Sequence, residues 1–471
     1  MGYFDYSCEP RSDIAFVDMK SFYASVECVD HGLDPLKASL CVMSRADHTS
    51  GLILASSPTF KKVFGKSNVS RAYDLPFDVK TRKFSYHKAK KQGLPITPDF
   101  VNYIEAWAAA TYIVPPRMEL YIEKNLEIQH IFQNYASIED ILPYSIDEGF
   151  LDLTGSLNYF IPDKNLTKQE KLDQVSAMIQ REIFHKTGIY STVGMSNANP
   201  LLAKLALDNE AKYAANMRAN WSYGDVESKV WSIPKLTDFW GIGRRMAKRL
   251  NKLGIQSIKQ LANSNPDLLK RELGVSGVDL FFHANGIDES NVHQPYRPKE
   301  RSLGNSQILP RDYQKQEEIE LVLTEMAEQV AIRLRRARKK TTLVAIHLGY
   351  AKTGYGHRLQ AQKTIEPSSS TKDLQAHVLN LFRQKYSGGA IRSIAVSYGH
   401  LIADGVQIIS LFDDSSQLEK EEKLEIAIDA IRNRFGFTTL QRANALSPAS
   451  RALARSKLIG GHSAGGLDGL Q

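Results

Sequence analysis

An acidic pair embedded in apolar chain constrains this sequence most: Tyr144-Ser145-Ile146-Asp147-Glu148-Gly149-Phe150-Leu151-Asp152-Leu153. Phe150, Leu151 and Leu153 suit a strand, and Gly149 permits close backbone approach. Side chains alternate along a strand, so a flat strand would send Asp147 and Glu148 to opposite faces. A local twist or turn would bring both sets of oxygens to one metal site. Asp152 reads as an exposed strand residue. Taken alone, such a pair is most often a solvated turn.

A second segment answers the first. Ile14-Ala15-Phe16-Val17-Asp18-Met19-Lys20-Ser21-Phe22-Tyr23-Ala24-Ser25-Val26-Glu27 is an apolar run ending in one carboxylate. The aromatic pair with small neighbours reads as the start of a helix. Three carboxylates on neighbouring strands make a hard oxygen site suited to Mg²⁺, which keeps waters and takes phosphate oxygens.

Both segments resemble the Y-family (translesion) DNA polymerases. That family's first motif is an Asp at a strand end followed by Phe-Tyr-Ala-Ser-Val-Glu, and its second is Ser-Ile-Asp-Glu before a short apolar strand. The resemblance runs to about residue 445, and the order of later features is similar to the UmuC-type or UvrX-like branch. It implies an α+β multidomain chain. A ferredoxin-like palm (1–23 and 113–222) would carry inserted fingers (24–112). A helix-hairpin-helix thumb (223–296), an α/β little finger (303–413) and a C-terminal tail (414–471) would follow. The fingers look longer than usual around 80–105.

The resemblance also implies roles. Asp18 and Asp147 would ligate two Mg²⁺ ions, Glu148 the catalytic one, and the Met19 carbonyl would be a further ligand. Tyr23 would be the steric gate beneath the incoming sugar, with Phe22 beside it. Thr59, Lys62 and Lys212 would contact the triphosphate. Thr59 replaces the family's Tyr and Lys62 its Arg, which keeps the charge but loses the bidentate fork. Lys212 stands one residue farther from Asp208 than in many members.

Read along the chain, Phe239-Trp240-Gly241-Ile242-Gly243-Arg244-Arg245 looks like a helix-hairpin-helix. Gly241 and Gly243 allow a tight hairpin whose amides hold a phosphate, and Arg244 and Arg245 add charge. Residues 290–300 read as a linker, and Arg301 opens the second α/β unit. Arg333, Arg335, Arg336, Arg338, Lys339 and Lys340 form a run without Asp or Glu, read as a DNA contact through counterion release. Gln407, Leu411 and Phe412 resemble the bacterial sliding-clamp-binding motif, with the Gln one residue farther from Leu-Phe than in the common form. Gly460 to Gly466 read as a mobile end.

Size and charge agree. A chain of 471 residues exceeds one ordinary core, so several domains are expected. A formal net charge of +8 favours a polyanionic partner. Cys8, Cys28 and Cys41 lack CxxC spacing, so neither a disulfide framework nor a zinc site is expected. Neither a signal peptide nor a membrane span is read, and the expected location is the cytoplasm. The expected partners are primer-template DNA, dNTP and a sliding clamp, with a recombinase filament or SOS accessory subunits beyond them. Two other readings use the same carboxylates: a palm-type nucleotidyl cyclase, and a DNA-repair scaffold with an inert palm.

Overall fold

The computed structural model describes residues 4–44, 51–65, 70–294, 301–351, 358–405 and 415–463. The chain divides into two compact units, Met1–Tyr296 and Arg297–His462. In the first unit the strands are β1 (Ile14–Met19), β2 (Leu40–Met43), β3 (Ile53–Ser56), β4 (Tyr112–Val114), β5 (Ile141–Pro143), β6 (Glu148–Asp152), β7 (Ser191–Ser196) and β8 (Arg218–Asn220). The main sheet has the order β5-β6-β1-β7-β8. β1 runs antiparallel to both neighbours, and β8 adds in parallel at the edge. β1, β5, β6 and β7 are thus the four strands of a ferredoxin-like βαββαβ unit. Ile14, Ala15, Phe16 and Val17 are all essentially inaccessible, as a central strand covered on both faces requires.

Local sequence starts the helices. Ser57-Pro58, Thr97-Pro98, Asn199-Pro200 and Asn265-Pro266 each place a polar cap before a proline, and each cap accepts a backbone N–H from the first turn. The helix Pro200–Ala206 is buried along its whole length. It lies on β7 so closely that a Cβ at Gly194 would stand 2.1 Å from the Ala203 carbonyl oxygen and 2.5 Å from Leu207 Cβ.

The inserted segment carries a separate sheet of order β3-β2-β4. β4 pairs in parallel with β2, Leu40 opposite Tyr112. Ile113 and Val114, expected in the palm, therefore complete the inserted sheet. The extra length near 80–105 folds as the helices Tyr86–Lys91 and Pro98–Ala110, whose Ala89, Ile104 and Ala108 share a core with Phe60 and Phe77. Four further helices follow the palm: Arg244–Lys252, Ile258–Ala262, Pro266–Leu273 and Val275–Ala284. The N-terminal segment straps onto them. The Tyr6 ring stacks on Tyr223 (centroids 4.8 Å apart), and its hydroxyl donates to the Asn285 carbonyl at 2.9 Å. Phe4 packs against Phe281 and Phe282.

The second unit is an antiparallel sheet of order β11-β10-β12-β9, from β9 (Leu303–Tyr313), β10 (Lys339–Tyr350), β11 (Arg358–Ser368) and β12 (Ile391–Ala403). The helices Gln316–Arg336 and Thr371–Lys385 bury their apolar faces against it. The expected tail is not separate. The Arg335 guanidinium grips Asp429 (2.7 Å) and Glu425 (3.3 Å) of the helix Ser415–Phe435. Arg432 pairs with Glu328 at 2.9 Å. Buried Glu325 accepts the Ser450 hydroxyl and the Arg451 amide, and the Tyr313 hydroxyl donates to the Ala449 carbonyl. Gly460 and Gly461 form the turn between the short strands Leu458–Ile459 and His462–Ser463. Gln407, Leu411 and Phe412 lie outside the described residues.

Gly194→Ala should destabilise the protein by ~3 kcal/mol or more, because the helix and β7 must separate to admit a methyl group. Urea unfolding measures this; a loss below ~1 kcal/mol would show that the contact yields freely.

Candidate nucleotide-transfer site

The β1–β6 register sets the site: Asp18 stands opposite Glu148. Asp147 precedes β6 at a bend, and its carbonyl accepts the Met19 amide at 2.9 Å. The bend resolves the alternation problem. The Ser145 hydroxyl lies 2.8 Å from Asp147 Oδ1 and 3.3 Å from Glu148 Oε2, so one hydroxyl serves both carboxylates. Asn125 fixes the same bend by donating to the Ile146 carbonyl at 2.7 Å.

Two lysines balance these acids. Lys204 Nζ is 2.9 Å from Glu148 Oε1, 3.4 Å from Asp208 Oδ2 and 4.5 Å above the Phe16 ring. Lys212 Nζ is 2.7 Å from Asp208 Oδ1 and 3.4 Å from Asp18 Oδ2. Between them Leu207–Ala211 forms a π-turn, with the Lys212 amide bonded to the Leu207 carbonyl. A π-turn takes up one residue more than an α-turn. The longer Asp208-to-Lys212 spacing is absorbed there, and Lys212 still reaches Asp18. Burial pushes the Asp18 carboxyl up to about 7; Lys212 opposes this, while Glu148 and Asp147 add to it. Burial raises Asp147 too, against the Ser145 hydrogen bond and with Glu148. Burial lowers Lys212, but Asp18 and Asp208 more than offset it, leaving the ammonium held above its usual range.

Crowded, largely buried carboxylates fit a hard divalent cation, which would relieve their repulsion. Asp18, Asp147 and Glu148 are the residues that would hold it. They line a cavity of about 650 Å³ with Met19, Tyr23 and Lys212. Phe22 is buried and packs beside Tyr23, ring centroids 5.8 Å apart.

The structure corrects the fingers assignment. Lys61, not Lys62, lines the cavity; its Nζ donates to the Ser21 hydroxyl at 3.0 Å, and burial lowers its pKa. Helix phase explains the shift. Phe60 and Phe64 are the buried i, i+4 pair, and each residue advances about 100° around the helix. Lys62 therefore points away from the core and is exposed. The Thr59 hydroxyl donates to the Leu36 carbonyl at 2.8 Å and does not line the cavity. Ser21, in left-handed backbone (φ 51), and Lys20 complete this wall; no motif singled them out. Asp152 is buried, not exposed, 3.4 Å from His293 Nε2.

Beyond the cavity, Gly241 takes φ 91 and Gly243 caps the helix Arg244–Lys252 without a side-chain hydrogen bond. Arg244 and Arg245 are exposed, and Trp240 packs edge-on to Tyr144. In the second unit Arg301 is exposed, and Arg333 is exposed while donating to the Gly304 carbonyl at 2.8 Å. The basic run is not one free face: Arg335 and Arg336 are bonded to the C-terminal helix, Arg336 through Asn433.

A split-βαβ palm with a carboxylate cluster at its centre, an inserted three-stranded sheet and a following helical hairpin defines the architecture of a Y-family DNA polymerase. Comparison with known proteins agrees. Residues 17–208 match the impB/mucB/samB family, 223–255 the IMS family HHH motif, and 300–411 the impB/mucB/samB family C-terminal domain. UvrX of Bacillus subtilis, named for UV-damage repair, is 37% identical over 97% of this chain and 99% of its own length. DNA polymerase IV 2 of the same organism is 32% identical over 95% of this chain and 98% of its own. A solved Y-family DNA polymerase chimera of Dbh and Dpo4 shares the fold, with TM-score 0.60 and 20% identity over 83% of this chain and 99% of its own. The chain belongs to the impB/mucB/samB family of Y-family DNA polymerases, in the UmuC/UvrX-like branch.

Lys204 is 8% exposed and Lys212 39%. Lys204→Met should therefore cost about 1–3 kcal/mol of stability by leaving Glu148 and Asp208 without their buried partner. Lys212→Met should cost less, since the Lys212 ammonium is more open to solvent and Lys204 still pairs with Asp208. Urea unfolding of both variants checks the order.

Proposed function

We propose that this chain is a template-directed, low-fidelity DNA polymerase that extends a primer 3′ hydroxyl with dNTP during translesion synthesis and DNA damage tolerance. The observation that carries the reading is the register of Asp18 against Glu148, with Asp147 at the bend and Tyr23, Lys61 and Lys212 around one cavity. In the reaction the primer hydroxyl gives up its proton to solvent, its oxygen bonds the α-phosphorus, the bond to the bridging oxygen breaks, and pyrophosphate leaves. Two Mg²⁺ ions, when bound, would supply charge neutralisation and lower the pKa of the attacking hydroxyl.

The chain's own residues do the rest. Asp18, Asp147 and Glu148 would hold the cations, with the Met19 carbonyl as a further ligand. Lys61 and Lys212 hold the triphosphate as point charges. Tyr23 occupies the space a ribose hydroxyl would need, with Phe22 behind it. The Gly241–Gly243 hairpin with Arg244 and Arg245 takes a DNA phosphate through free helix N-terminal amides. Arg301 and Arg333 add backbone contacts, as does the exposed side of Arg336, whose guanidinium also binds Asn433. Membership of the polymerase family favours this reading over a nucleotidyl cyclase or an inert scaffold.

The finer parts of the proposal are SOS-type mutagenesis, a recombinase filament or accessory subunits as partners, and a clamp tether at Gln407, Leu411 and Phe412. The tether rests on sequence alone. No helix among the described residues is long and apolar enough to cross a membrane, and the proposed place of action is DNA in the cytoplasm.

Primer extension with each dNTP and Mg²⁺ tests the activity. Asp147→Ala should abolish incorporation and leave primer-template binding intact; near wild-type extension would refute the cation site. Lys61→Ala should lower kcat/KM for dNTP about ten-fold or more, the scale of a lost charged hydrogen bond. Lys62→Ala should stay within about two-fold, as for an exposed surface change. The reverse order would restore Lys62 to the site.

A further inference from the structure

Tyr23 lines the cavity, and its ring is stacked on a second one. Tyr121 stacks on it with centroids 4.4 Å apart and planes 13° apart. Tyr121 is wholly buried, and its hydroxyl donates to Glu27 Oε1 at 2.6 Å. Glu27, only 1% exposed, is gripped by the fork of Arg117, Nε at 3.1 Å and Nη2 at 2.6 Å. Nη2 also reaches Asp30 at 2.6 Å. Tyr23 and Glu27 are one turn apart on the helix Phe22–Asp30. Arg117 is the N-cap of the helix Met118–Phe132, and Tyr121 is one turn inside it. Two i, i+4 pairs therefore face each other and lock the two helices together. Glu27, Asp30 and His31 also lie close together, but Arg117 already pairs with the two acids.

We propose that Tyr121 is the positioning residue that fixes the plane of the Tyr23 ring and thereby sets the choice between deoxyribo- and ribonucleoside triphosphates; this rests on Tyr23 being the sugar gate. A gate that works by clash rejects an extra hydroxyl only as firmly as the ring resists being pushed. Tyr23 is half-exposed and would yield by rotation if it stood alone. The stack opposes that rotation, and the Glu27–Arg117 anchor keeps the stacking ring from following. The same helix pins the Ile146 carbonyl through Asn125, so the gate is held in fixed relation to the bend carrying Asp147.

The test is single-nucleotide insertion on a primer-template with Mg²⁺, comparing kcat/KM for a dNTP and its matching rNTP. A merely structural loss lowers both and leaves the ratio unchanged. Tyr121→Leu should weaken discrimination about three- to ten-fold, the range of a lost aromatic stack. The change should fall mainly on the rNTP. Tyr121→Phe keeps the stack but loses the hydroxyl tie to Glu27, and should weaken discrimination by less than Tyr121→Leu. Arg117→Lys, at a half-exposed position, loses the fork and should shift the ratio in the same direction by less; it serves if Tyr121→Leu does not fold. An unchanged ratio in the folded variants, with Tyr23→Ala raising rNTP insertion, overturns the role of Tyr121 and leaves the gate standing. An unchanged ratio in Tyr23→Ala itself removes the gate and this proposal with it.

Discussion

The pairing of Asp18 with Glu148 across two antiparallel strands brings like charges together where water is scarce. Such a cluster opposes folding unless counter-charges come with it. Lys204 and Lys212 bring them, spaced two helical turns apart with Asp208 shared between. Much of the first unit delivers that helix to that strand pair. The Asn199-Pro200 cap starts it, the bare backbone at Gly194 lets it lie directly on the sheet, and the π-turn aims its last lysine.

The carboxylate cluster was legible because its signals are local: an apolar run ending in Asp18, and an acidic pair entering a second run. The ferredoxin-like palm followed from the resemblance that these two segments carry. What sequence missed depended on phase and on distant partners. Lys61 and Lys62 differ by about 100° of helix, which only the buried faces of Phe60 and Phe64 decide. Asp152 reads as a surface strand residue until His293, far along the chain, is brought to it. Tyr121 reads as one more apolar position in a helix, because its partners Tyr23 and Glu27 are almost a hundred residues away.

The second unit shows how charge patterning misleads. A run of arginines without acids reads as a face for a polyanion. Acids 90 and 94 residues later claim part of it, Glu425 and Asp429 for Arg335. The same pairs turn the expected tail into part of the domain, with Arg432 on Glu328 and the chain around Ala449 against Tyr313. The resemblance made this region a tail, yet buried polar pairs hold it down.

The N-terminal strap has a mechanical meaning. Phe4 and Tyr6 are fixed to the last helix after the hairpin and to Tyr223, and only seven residues separate Tyr6 from Ile14. A further tie, the Ser12 amide on the Ala198 carbonyl at 3.0 Å, shortens the slack. The strand bearing Asp18 is therefore leashed to the helical hairpins on its N-terminal side. Displacement of those hairpins beyond the slack of the leash becomes tension on the segment that leads into β1, the strand that ends in Asp18 and Met19.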